Sequence, residues 1–275
     1  MKLKVDSHTH TLASAHAYST ILENAQAAAK QDLELLCITD HAPALPDSPD
    51  RFHFMNYNVL DRELFGVQML YGVELNILDR EGNIDLPEDL LKRQDIVIAS
   101  YHTVCTPAGS KAENTRAYLK AMENPYVQII GHPEDGYIPV DFEELVLAAK
   151  ENKVLLEVNN NSLKNAYFRL NTRENLMEIL GLCEKHGVEI STGTDAHFAT
   201  AVGYFDKVTD LLEEIHFPEE LIANTDADKI FAFDPQKRGM QVKLLHISDL
   251  HYRMQYKSSN KAFAYDSIFP NMVPP

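Results

Sequence analysis

Seven short apolar runs recur along the first 195 residues of the chain: LKVD (3–6), LLCITD (35–40), MLYGVE (69–74), DIVIASY (95–101), VQIIG (127–131), VLLEVN (154–159) and EISTGT (189–194). They are rich in β-branched and aliphatic residues and show little polar–apolar alternation, the pattern of strands buried on both faces in a parallel sheet. Helical segments fill the intervals. Thr20-x-x-Glu23 forms a capping box ahead of ILENAQAAAK. DFEELVLAAKEN and TRENLMEILGLCEKHG carry apolar residues at three and four spacing, the second ending in Gly187 as a C-cap. Strand and helix thus alternate over roughly 200 residues, which predicts an α/β fold, either a closed barrel or an open doubly wound sheet. No GxGxxG or Walker sequence follows any of the strands, so the nucleotide-binding versions of the open sheet have no support.

At 275 residues and 45 % hydrophobic content, the chain can bury a substantial core without covalent staples. Cys37, Cys105 and Cys183 are odd in number, widely spaced and outside any CxxC pair, which points to a reducing compartment. MKLKVDSHTH has no long apolar stretch, and no run of about 18 apolar residues is present to span a bilayer, so the expected location is the cytoplasm. The net charge of −16, with no block of lysine or arginine, argues against extended nucleic acid as a partner. A small anionic substrate senses only the local field of a pocket, and a bound metal can reverse its sign.

Polar residues fall on this map with a regularity. His8, His10 and His16 follow the first run, His41 the second, Glu74 ends the third, His102 follows the fourth, His132 the fifth, and Asp195 and His197 the seventh. In a parallel barrel those C-terminal strand ends share one face, where the active sites of such barrels are built. The pairs His8/His10 and Asp195/His197 are two apart, so in extended backbone each pair projects to one side. Imidazoles with a few carboxylates suit zinc, iron or manganese rather than calcium or magnesium. With three or four protein ligands per ion and one bridging carboxylate, the nine donors would serve two or three ions. Taken singly, each motif has a blander reading: HxH as a surface turn, TDH or GHP as a cap, Glu74 as the partner of an arginine. The convergence favours the metal. His53, His186 and His216 stand away from the strand ends and read as surface or capping residues. Asp6 and Asp40 are either acceptors that fix an imidazole tautomer or turn formers.

The N-terminal HxH, the TDH, the strand-end glutamate, the histidines of SYH and GHP and the late DxH together resemble the PHP (polymerase and histidinol phosphatase) family over residues 1–239. HTHTLASAHAYSTILENAQAA and LLEVNNNS resemble its YcdX-type phosphatase branch in particular. The resemblance implies a distorted (β/α)7 TIM-like barrel with a trinuclear site, usually zinc although manganese or iron would fit, and phosphatase activity. It implies one ion on His8, His10, Glu74 and Asp195, a second on Glu74, His102 and His132, and a third on His16, His41 and His197. Glu74 would be the bridge, and Glu74 and Asp195 the catalytic carboxylates. A symmetric homo-oligomer, a trimer by resemblance, would also follow.

Three divalent ions against two ligand carboxylates would draw in a phosphate dianion. Water held between two ions loses a proton near neutral pH and serves as the nucleophile on a small phosphomonoester, with no covalent phosphoenzyme. Asn159, Asn160 and Ser162 after the sixth strand, or Arg169 and Arg173, are candidates to touch the substrate, with turn chemistry as the alternative for the asparagines. Specificity would reside in loops such as 42–58. Competing functions are histidinol-phosphatase activity, an exonuclease acting on nucleic-acid ends, and a non-catalytic metal-binding protein. Residues 240–275 open with MQVKLLHISDLHYRM, which resembles the first strand of calcineurin-like metallophosphoesterases, with Asp249 and His251 at its DxH. Only 24 residues follow His251, too few to complete that site, so the tail reads as a fragment without catalysis.

Overall fold

The computed structural model describes residues 1–164 and 168–233; the tail with Asp249 and His251 lies outside the described residues. The strands are β1 (Val5–Asp6), β2 (Leu35–Ile38), β3 (Glu63–Leu64), β4 (Val67–Tyr71), β5 (Val73–Asn76), β6 (Val97–Ser100), β7 (Ile129–Gly131), β8 (Leu155–Asn159) and β9 (Ile190–Gly193). The helices are α1 (Ile21–Lys30), α2 (Arg51–Met55), α3 (Glu88–Leu91), α4 (Lys111–Met122), α5 (Phe142–Asn152), α6 (Asn160–Lys164), α7 (Thr172–His186), α8 (Asp206–Glu214) and α9 (Ala227–Ala232). All seven apolar runs become strands. The capping box at Thr20 and Glu23 closes reciprocally, and Gly187 ends α7 in the left-handed conformation, where glycine meets no steric penalty.

One sheet runs β1-β2-β4-β3, with β3 antiparallel, and the other runs β5-β6-β7-β8-β9, all parallel. Two seams join them. The third apolar run, expected as one strand, breaks at Gly72: β4 pairs with β2, and β5 pairs with β6. A Cβ at Gly72 would sit 1.9 Å from the Ile96 carbonyl oxygen, so only glycine admits this approach. Past the break, Glu74 N–H donates to Asp40 O and Ala42 N–H to Glu74 O, at 3.1 and 2.9 Å. At the other seam His10 N–H donates to Ala196 O (2.9 Å) and Asp195 N–H to His8 O (2.8 Å). Counting β4 and β5 as one interrupted strand, seven parallel strands complete the distorted barrel. Periodicity alone left an open sheet equally possible; these seam bonds, which depend on contacts distant in sequence, decide for the barrel.

Side chains alternate across each strand. Leu36, Ile38, Val97, Ala99, Ile130, Leu156 and Val158 belong to the core shared with Leu145, Val146, Leu176, Ile179 and Leu180 of α5 and α7. Val5, Leu35, Cys37, Ile96, Ile98, Ile129 and Leu155 form a second, inner cluster, completed by Ala223 and Ile230. The inward series then turns polar toward the strand ends, as in Ile98, Ser100, His102 and Leu155, Glu157, Asn159. An apolar floor therefore lies beneath a polar cup. Asn224, fully buried, closes the lower seam: its amide donates to Val5 O and Thr192 O at 3.0 and 2.8 Å and accepts from Thr192 N–H at 2.7 Å. Among the described residues no helix is long and apolar enough to cross a membrane.

Candidate metal centre

The nine residues expected to converge do so in the polar cup. His8, His10, His41, Glu74, His132 and Asp195 are buried, His102 and His197 partly so, and His16 stands at the mouth. His132 and Asp195 adopt φ of +32° and +51°, a region that side chains other than glycine rarely occupy. Two hydrogen bonds hold them there: His132 N–H to Glu157 Oε2 and Asp195 N–H to His8 O, both 2.8 Å.

Hydrogen bonds assign the imidazole tautomers. His8 Nδ1 donates to Glu157 Oε1 at 2.8 Å, and His102 Nδ1 donates to Asn76 Oδ1 at 2.7 Å. The amide of Asn76 is itself fixed, because its Nδ2 donates to Asp85 and Ala42 O. Ser14 Oγ donates to Asp40 Oδ1 and so accepts from His10 Nδ1 at 3.3 Å and from His41 N–H at 3.1 Å. His197 Nδ1 donates to Asp195 O at 2.9 Å. Four histidines thus present Nε2 lone pairs toward the cup.

Glu74 lies among them. Its Oε1 is 3.0 Å from His132 Nε2 and 3.3 Å from His102 Nε2, while Oε2 is 2.6 Å from His41 Nδ1, 3.4 Å from His8 Nε2 and 3.6 Å from His10 Nε2. The close His41 contact is not aligned as a hydrogen bond, and His41 Nδ1 and Nε2, Glu74 Oε2 and His132 Nδ1 are buried without hydrogen-bond partners. His8 Nε2 and His10 Nε2 face each other at 3.1 Å, which two lone pairs do not tolerate without a cation or proton between them. Four ligand atoms about 2.05 Å from a tetrahedral zinc are about 3.3 Å apart. Among the described residues, three sets of donor atoms gather closely enough to hold an ion: His8, His10 and Glu74; His41, Glu74 and His102; and His10, His41 and His197. His16 Nε2 adjoins the last set, 2.9 Å from His197 Nε2. The donor set fits divalent metals.

Charge is unevenly shared. Burial pulls His10, His41 and His132 below the ordinary imidazole range, helped at His10 by His41 and His197 and at His132 by Arg169. His16 falls to about 4 through partial burial and the neighbouring His197 and His41. At His8 burial acts the same way, but Glu157, Glu74 and Asp195 together overcome it and raise the pKa well above the ordinary value. For Glu74 and Asp195, burial favours the neutral acid, yet the surrounding histidines, with Arg169 beside Asp195, hold both well below the carboxylate range.

Glu157 and Asn76 were not singled out in the sequence. The available signal was a carboxylate inside the otherwise apolar run VLLEVN, one inward step before Asn159. Asp40 acts on His10 through Ser14 and accepts Thr11 N–H at 2.7 Å, with its pKa lowered to about 2: burial opposes the shift, while His53, His10 and these hydrogen bonds drive it. Asp6 touches no imidazole ring. It accepts from Thr194 N–H and Oγ1–H and from Gly203 N–H, clamping β1 to the segment after β9. His53 lies 3.6 Å from Asp40, outside the cup.

The structure separates the candidate substrate contacts. Arg169 lines the cavity, 3.5 Å from Asp195 Oδ2 and hydrogen-bonded to Ser162 Oγ, which also lines it. Asn159 is a buried brace whose amide donates to Glu157 and Asp195, both at 3.2 Å, and accepts from Ser162 N–H. Asn160 reaches the cavity wall, but its side chain accepts from Lys207 and Val208 N–H at the start of α8. Arg173 is paired with Glu214 through two contacts of 2.6 Å at the surface and does not line the cavity.

The cavity above the cluster measures about 690 Å³, within the range of small-molecule sites. The chain matches the family model described as PHP domain over residues 6–225. It is 48 % identical over 233 residues to a probable phosphatase of Clostridium novyi (strain NT), covering 85 % of this chain and 95 % of that protein. A probable phosphatase of Caldanaerobacter subterraneus subsp. tengcongensis is 45 % identical over 239 residues, covering 86 % and 93 %. Among solved structures, the fold is similar to a histidinol phosphate phosphatase from Lactococcus lactis subsp. lactis, complexed with zinc, L-histidinol and phosphate. The TM-score is 0.58 at 19 % identity, over 79 % of this chain and 95 % of that one. A putative histidinol phosphatase from Listeria monocytogenes has a TM-score of 0.52 at 15 % identity, over 73 % and 98 %.

Proposed function

The chain belongs to the PHP domain family, and from that premise we propose that it is a metal-dependent phosphatase acting on a small phosphomonoester at a trinuclear centre. The observation that carries the reading is Glu74: its two buried oxygens point to different groups of histidines, the arrangement a bridging carboxylate needs. His8, His10, Glu74 and Asp195 would hold one ion, Glu74, His102 and His132 a second, and His16, His41 and His197 a third. His41 lies between the last two groups. Zinc suits the imidazole-rich set, and manganese or iron would also be accepted.

Bound ions would supply a nucleophile from water at neutral pH and offset the charge on the phosphoryl oxygens. The protein's own residues supply orientation and binding. Glu157, Ser14, Asn76 and the Asp195 carbonyl hold protons on the Nδ1 atoms of His8, His10, His102 and His197, leaving each Nε2 to bind. Arg169, its side chain steered by Ser162 and Asp195, presents a guanidinium at the cavity wall where a phosphoryl oxygen would dock. Asn159 ties Glu157 to Asp195, coupling the orienting carboxylate to the candidate ligand.

The test is release of inorganic phosphate from simple phosphomonoesters by protein of measured metal content, before and after chelation. About three ions per chain and turnover lost on chelation are expected, with Asp195→Asn lowering turnover about 100-fold or more. A chain that binds the ions yet hydrolyses no monoester would overturn the reading.

A further inference from the structure

The walls above the cluster carry information about the alcohol half of the substrate. Tyr18, Val104, Phe168 and Phe198 line the cavity and are 68, 64, 80 and 51 % exposed, respectively. Each stands one or two positions from a group in the cup: Tyr18 after His16, Val104 after His102, Phe168 before Arg169 and Phe198 after His197. Tyr18 N–H donates to His197 O at 2.8 Å, which fixes two of these segments together. Isolated exposed apolar side chains are ordinary on a protein surface. Four around one mouth form a collar, and Leu45 adds a buried apolar wall.

The charged residues lining the cavity are already paired within the protein. Among the described residues lining the cavity, the acidic ones are Glu74 and Asp195, both buried and engaged by histidines or Arg169. Lys164 at the wall is 3.2 Å from Asp206 and lies over the Tyr204 ring. Among the described residues no carboxylate lines the collar to receive an ammonium group, and burying an unpaired cation is costly. An aromatic ring attracts a cation only weakly at an exposed site, and Arg169 beneath opposes it.

Resting on the phosphatase reading, we propose that the preferred substrate is the phosphomonoester of an uncharged apolar alcohol, aromatic by preference, and that esters of amino alcohols are disfavoured. The phosphoryl group would sit over the cluster beside Arg169, with the alcohol carbon skeleton inside the collar.

Three esters isolate the two features: n-propyl phosphate, 3-phenylpropyl phosphate and 2-amino-3-phenylpropyl phosphate. The second adds a ring to the first, and the third adds only an ammonium group to the second. The ring should raise kcat/KM about tenfold or more, and the ammonium group should lower it about tenfold or more. In the double variant Phe168→Ser/Phe198→Ser the ring's advantage should shrink to about threefold or less. The same ranking should appear without turnover, as binding of propyl- and 3-phenylpropylphosphonate to the metal-loaded protein by calorimetry. Equal turnover of the first two esters, or preference for the amino ester, would overturn the proposal. Hydrolysis of none of them would instead refute the phosphatase reading, and the phosphonate ranking would then decide the collar's role alone.

Discussion

Glu157 does not line the cavity above the cluster, yet it sets the behaviour of the fully buried His8. By accepting from His8 Nδ1 it fixes the ring, and by its charge it helps keep His8 protonated when no metal is bound. Glu157→Gln should weaken zinc binding about 10- to 100-fold in competition with a chromophoric chelator. Unchanged affinity would mean that the carboxylate does not orient the ligand. The raised pKa of His8 also predicts a pH dependence. Its imidazolium stabilises the metal-free fold fully below about 6.5, and that contribution is lost as pH rises through the raised value. Proton and metal compete for Nε2, so zinc affinity should climb across that window by up to about tenfold per pH unit, with about one proton released at His8. His10, His41 and His132, with lowered values, are already neutral at pH 7 and add no slope there. Competition titrations from about pH 6 to about pH 9 measure both the slope and the proton count. The histidines were legible in sequence because each follows a recognisable strand. Glu157 was not, because one glutamate in a strand reads as a polar edge until the fold shows it buried.

The strands themselves were legible because both of their faces are buried, so apolar residues run almost without interruption. The kink at Gly72 was hidden, since a glycine inside a strand pattern also fits a simple bulge. Its role depends on Ile96, whose carbonyl approaches only after β6 pairs with β5. Gly72→Ala should therefore destabilise the protein by about 3 kcal/mol, read from the urea midpoint, because the obstructing atom is backbone. A neutral result would show that the Ile96 carbonyl can move away from position 72 without loss. Beyond the seven strands and α1, α5 and α7, the remaining elements had no separate prediction, β3 and α4 for local reasons. β3 spans only Glu63–Leu64 on the exposed sheet edge, and α4 announces itself chiefly by the capping box of Ser110 and Glu113.

For the molecule as a whole, the decisive contacts are the least local. No motif marks the segment from Ile222 to Ile230, yet it supplies Ala223 and Ile230 to the inner cluster and Asn224 to the seam. Asn224→Ala would leave Thr192 N–H and the Val5 carbonyl without their side-chain partner inside the fold, and the Thr192 carbonyl with Ser7 Oγ–H alone. It should lower stability by about 3 kcal/mol while leaving the metal ligands in place, measured by urea denaturation of the metal-free protein. A small loss would mean that water replaces the amide. That seam also bears on how the protein is made. The partners of Asn224 lie in the first and last strands of the barrel, 219 and 32 positions before it in the chain. A growing chain can lay down its internal βα units as they emerge, but β1 keeps an open edge until the final turn of the fold has left the ribosome. The nascent protein must therefore shelter a strand with one open edge until the segment around Asn224 has emerged, and termination before that segment would release a chain with its barrel unsealed.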